Sequence, residues 1–114
     1  PQGAMNRTFR PEYMDQISCW EIAREQARKL LPECESKATS LLLISIMLTA
    51  GKLAGLSGAE RKQYESYMRE CHEKLLKERQ NEQAMELLSK GYRVKVRFFA
   101  TAPKLYLWCY HFRF

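Results

Sequence analysis

Hydrophobic and polar positions along this chain fall into three regimes. Leu41 to Ala50, LLLISIMLTA, is apolar or small on every side. A helix of that kind has no solvent face, so other elements must wrap it, and it marks the expected centre of the fold. Before and after it the apolar residues recur at helical spacing. From Tyr92 onward the pattern alternates.

The first amphipathic stretch places Tyr13, Ile17, Trp20, Ala23, Ala27 and Leu30 on one side. Pro11 suits a first helical turn, Glu12 and Asp15 suit the dipole there, and Pro32 ends the pattern. The spacing predicts a helix over about 11–31. A second helix, over about 33–53, carries the apolar run. Only Lys52 is charged between Ala38 and Leu56, which raises the question of a membrane span. The strictly apolar part falls short of the about 20 residues that a bilayer needs, and Ser40, Ser45, Thr49 and Gly51 interrupt it. A buried helix is the expectation.

Ser57-Gly58-Ala59-Glu60 is a capping-box pattern and predicts a third helix. Tyr64, Tyr67, Met68, Cys71, Leu75 and Leu76 form its stripe, Lys77 to Gln83 contains nothing apolar, and Ala84 to Leu88 resumes it. Unbroken over 57–90, such a helix would be about 50 Å long, too long for a compact domain of this size. It must break near Asn81 or project toward a partner. Gly91 is read as its C-cap.

Tyr92 to Phe98 alternates strictly, with Val94, Val96 and Phe98 on one face, and predicts a strand over 92–99. After a turn at Ala100 to Pro103, the aromatic-rich end predicts a second strand over 104–113. Two strands so close form an antiparallel hairpin. Pairing Phe99 with Lys104 gives one apolar face and one face carrying Arg93, Lys95 and Arg97 beside Tyr106, Trp108 and Tyr110. A loop one residue different would turn every side chain of one strand over. The expected fold is therefore α+β: a three- to four-helix bundle around the apolar helix, with a C-terminal β-hairpin.

Composition narrows the class. At 114 residues, 46% hydrophobic and 28% charged, the chain suits one domain with its own core and not a disordered tail. Pro1 to Ala4 resembles the scar of tag cleavage, with native sequence expected from Met5. A net charge of +6 favours acidic partners: nucleic acid, an anionic membrane or an acidic protein face. Cys19, Cys34, Cys71 and Cys109 are scattered, with no secretory signal before them. They read as reduced thiols in a cytoplasmic or nuclear protein.

Leu87 to Phe98 resembles the helix-to-strand passage in the C-terminal domain of bacterial translation initiation factor three. That family's later helix and remaining strands have no counterpart here, and the assignment is not adopted. Cys109-x-His111 and Cys71-His72 are the nearest approach to a zinc motif, but a zinc site needs four convergent ligands. A Cys71–His72 nucleophile pair fails because adjacent residues on a helix diverge. Gly51-Lys52 lacks the rest of a phosphate loop. No catalytic centre, cofactor or metal is expected. The leading expectation is a protein-interaction or self-association module that docks through Arg93, Lys95, Arg97, Tyr106, Trp108 and Tyr110. The second is RNA or single-stranded DNA binding by the same cations and rings.

Overall fold

The computed structural model describes residues 9–113, with side chains through Cys109. The expected tag scar at residues 1–4 lies outside them. Among the described residues every regular element is helical, and there is no strand. The α+β expectation and its β-hairpin are overturned: this is an all-α fold. Seven α-helices follow one another: α1 (Met14–Leu30), α2 (Glu35–Ala54), α3 (Gly58–Gln63), α4 (Glu65–Glu78), α5 (Glu82–Leu87), α6 (Lys90–Thr101) and α7 (Pro103–Arg113). Single 3-10 turns, Pro11–Tyr13 and Pro32–Cys34, lead into α1 and α2.

Helix α2 lies at the centre, with α1, α4, α5, α6 and α7 all packed on it. Leu42, Leu43, Ile46 and Ala50 are fully buried there. They meet a core built from Ile17 of α1, Cys71 and Leu75 of α4, Ala84 of α5, and Val96 and Phe99 of α6. Truncating one such aliphatic side chain to Ala costs about 2–5 kcal/mol. The hydroxyls buried on α2 mostly bond back to their own helix. Thr39 Oγ1 donates to the Glu35 carbonyl at 2.9 Å, and Thr49 Oγ1 to the Ser45 carbonyl at 2.9 Å. Pro32–Ala54 is long and apolar enough to cross a membrane by length and composition, yet 67% of its most apolar window is buried inside the protein.

Proline writes two of the helix boundaries. Leu31 before Pro32 and Ala102 before Pro103 leave the helical region with nearly the same dihedrals, φ −141° in both and ψ of 73° and 72°. The ring of the following proline forbids α geometry at each of these residues, and proline's fixed φ then starts the next turn.

The 57–90 stretch is three helices, not one. Ser57 is extended, and its hydroxyl donates to Glu60 Oε1 at 3.1 Å instead of accepting a backbone N–H. Helix α3 ends at Tyr64, whose ring packs against buried Phe9 at 5.1 Å. Asn81 caps α5 by accepting from the Ala84 N–H at 3.0 Å. The apolar-free stretch is thus the corner between α4 and α5, and both helices return to α2.

Gly91 does not end a helix. It is the second residue of α6, which starts where Ser89 Oγ accepts from the Tyr92 N–H at 3.3 Å. Within α6, Val96, Phe99 and Ala100 are buried and Tyr92 is partly so, a helical spacing laid over the alternating one. Two ionic links close the fold between α1 and α4. Arg24 pairs with Glu78, both buried, and Lys74 Nζ lies 2.9 Å from Glu21 Oε1.

Candidate interaction surface

All thirteen acidic residues lie at or before Glu86, and thirteen of the nineteen Lys and Arg balance them. The other six, Lys90, Arg93, Lys95, Arg97, Lys104 and Arg113, follow it and carry the whole formal charge of +6. Helices α6 and α7 are therefore a purely basic pair on a neutral bundle.

A strand would have put the expected site residues on one face. A helix turns about 100° per residue and distributes them. Arg93 folds back over the C-terminus of α5. Its Nε donates to the Met85 carbonyl at 3.3 Å, and its Nη2 to the carbonyls of Glu86 at 3.2 Å and Leu88 at 3.1 Å. These are carbonyls that a helix end leaves without intrahelical partners. Arg61 serves α2 likewise, donating to the carbonyls of Ala54 and Leu56.

Tyr106 is buried, its ring 5.2 Å from Phe99 and 5.5 Å from Phe98, so it anchors α7 to the core. Arg97 is exposed in a groove of about 460 Å³ that it shares with Arg79, Arg93, Glu82 and Glu86. Lys95 is exposed on another flank, with its Nζ 5.6 Å from the centre of the Tyr92 ring. Trp108 is exposed on α7, and the Tyr110 side chain lies outside the described residues. The five whose side chains are described do not converge.

What the basic pair does present is apolar. Val94 is 63% exposed, Trp108 59% and Leu105 50%. Leu48, in the middle of the core helix, is also 52% exposed. Leu48 borders a second groove, of about 240 Å³, lined also by Met47, Lys52, Tyr92, Lys95 and Tyr106. Reading the LLLISIMLTA run as wholly buried hides Leu48. The signal was available in the spacing Leu41, Ile44, Leu48, a stripe on α2 that the structure leaves partly covered.

Among the described residues no three His, Cys, Asp or Glu side chains are placed to hold a metal ion. Burial pushes the Cys71 thiol up to about 12, the opposite of what a nucleophile needs. His72 Nε2 is 3.2 Å from the Ala100 carbonyl, and its ring stands edge-on to Phe99. His111 lies outside the residues whose side chains are described. Comparison of the chain with protein-family models, with curated proteins and with solved structures found no match.

Proposed function

We propose that this chain is a non-enzymatic protein-interaction module whose docking surface is the basic α6–α7 pair together with the exposed flank of α2. One observation carries the reading: the segment that holds all the unbalanced charge also exposes Val94, Leu105 and Trp108. Exposed apolar anchors within a basic surface suit an interface in which Trp and Arg supply most of the affinity. Two of the residues on which nucleic-acid binding would depend are engaged elsewhere. Arg93 caps α5, and Tyr106 is in the core, so the run of stacking rings that single strands favour is reduced.

The test is affinity capture with the tagged chain, with and without nuclease, beside the variants Trp108→Ala and Leu105→Ser. Protein capture that survives nuclease and weakens in both variants is expected, with Trp108→Ala costing about 2 kcal/mol or more. Capture that vanishes with nuclease, together with retention that falls steeply as salt rises, would turn the assignment to nucleic acid. Capture that neither variant changes would remove the surface.

A further inference from the structure

We infer that the groove between α2 and α6 is a receptor for an acidic amphipathic segment of a partner protein. An apolar side chain of that segment packs on Leu48, and its carboxylates meet Lys52 and Lys95. This deepens the reading of the basic pair as a docking surface and rests on it.

Three features single out this groove. First, its walls are cationic without internal compensation. The larger groove on the other flank sets Glu82 and Glu86 among its three arginines, whereas no carboxylate lines this one. Second, both lysines are held ready. Lys52 Nζ lies 5.0 Å from the centre of the Tyr13 ring and Lys95 Nζ 5.6 Å from that of Tyr92. Neither pairs with a carboxylate among the described residues, in contrast to Lys74, which binds both Glu21 and Glu70. A ring face beneath an ammonium supports it weakly, by about 0.5–1 kcal/mol at an exposed site, and leaves its other N–H donors for an incoming carboxylate.

Third, Leu48 interrupts an otherwise buried helix. Its neighbours Met47 and Ile46 are in the core, and Leu48 alone of the run is more than half exposed. Leu48 and Lys52 are four residues apart on α2, and Tyr92 and Lys95 three apart on α6, so each wall presents one apolar and one cationic position per turn. An amphipathic helix that carries Asp or Glu one turn from a Leu or Ile matches that spacing. Nucleic acid meets the charge but offers Leu48 no apolar side chain, and anionic lipid is distinguished by the vesicle arm of the experiment.

The experiment is selection of a displayed library of random short peptides on the folded protein. Anisotropy titration of the enriched peptides against Leu48→Ser and the double variant Lys52→Glu, Lys95→Glu would follow. All three positions are on the surface, and unchanged circular dichroism and melting establish that the variants fold. The expected peptides combine Leu, Ile or Phe with Asp or Glu. They should bind the charge-reversed variant at least about tenfold more weakly and lose affinity with salt. They should also shift the amide resonances of Leu48, Lys52 and Lys95.

No enrichment, enrichment of neutral or basic peptides, or equal binding to all variants would overturn the inference. So would phosphatidylserine vesicles or a single-stranded oligonucleotide binding through these three residues while acidic peptides do not. If the Trp108-dependent capture stands while these variants change nothing, the groove assignment fails alone. If that capture is absent as well, the docking surface itself fails.

Discussion

Arg93 and Lys95 are two residues apart, carry the same charge and have different roles. Arg93 spends its guanidinium on three carbonyls at the end of α5, whereas Lys95 is solvent-exposed above a tyrosine ring. Arg93→Ala leaves those carbonyls without their donor and should lower stability by about 1–2 kcal/mol, read as a fall of several degrees in Tm. Lys95→Ala should leave Tm within a degree or so, since isolated surface charges contribute little. Equal effects of the two substitutions would refute the capping role.

Cys71 supplies a second residue-scale prediction. Burial raises its thiol from an ordinary value of 9.0 to about 12, with the Glu70 charge acting in the same direction. Between these values the folded protein keeps a proton that the unfolded chain has lost, so stability is full below pH 9 and falls as pH rises toward 12. Lys74 adds to the fall above 10.5. Burial lowers its pKa, but hydrogen bonds to Glu21 and Glu70 outweigh that and hold it above its ordinary value. Urea midpoints measured between pH 9 and 10.5 should decline less steeply in Cys71→Ala than in the wild type. Alkylation at neutral pH should modify exposed Cys19 and Cys34 well before Cys71.

At the scale of the element, the sequence was legible where backbone chemistry is local. The boundary at Pro32, the all-round apolar α2 and the corner around Asn81 all follow from single residues or short patterns, whereas Pro103, which separates two helices, reads as a hairpin turn in the sequence alone. The last two elements were misread because seven residues of alternation, Tyr92 to Phe98, fit a strand and also hold a helical face. Tyr92, Val96, Phe99 and Ala100 recur at helical spacing, Val96 is buried on either reading, and Ser89 supplies a cap. β-Branched residues favour strands only where a sheet receives them, and a lone hairpin is marginal in water. Packing on α2 decides for the helix. The candidate site was lost with the secondary structure, because sharing a face depended on the period.

Gly91 discriminates the two readings. A helix-ending glycine takes positive φ, and alanine there destabilises. Here Gly91 has no positive φ and lies inside α6, where an added Cβ meets nothing within 4 Å. Gly91→Ala should therefore stabilise the protein by about 0.5–1 kcal/mol. A lower Tm in this variant would restore the helix stop.

Across the whole molecule, α1 and α4 both pack on α2 and are joined to each other by charge. Arg24 and Glu78 are 54 positions apart and both buried, their side chains 7% and 5% exposed. Arg24 Nε also lies 2.8 Å from Glu25 Oε2. Glu78 Oε2 is buried without a hydrogen-bond partner, so the pair is incompletely solvated by the protein. Its attraction has to offset the desolvation of two charges, and such pairs are weak contributors beside an apolar pair of the same volume. Removing one member is a different matter, because the survivor remains buried and charged. Arg24→Ala leaves Glu78 buried without an ionic partner and should cost about 3–5 kcal/mol, and Glu78→Ala less, since Arg24 keeps Glu25 Oε2 at 2.8 Å. The double variant Arg24→Met, Glu78→Leu should fall within about 1 kcal/mol of the wild type or exceed it. Urea denaturation of the wild type, the singles Arg24→Met and Glu78→Leu, and this double variant closes the cycle and gives the coupling. A double variant as unstable as the sum of its singles would mean that the buried ions, and not the apolar faces of α2, hold α1 against α4.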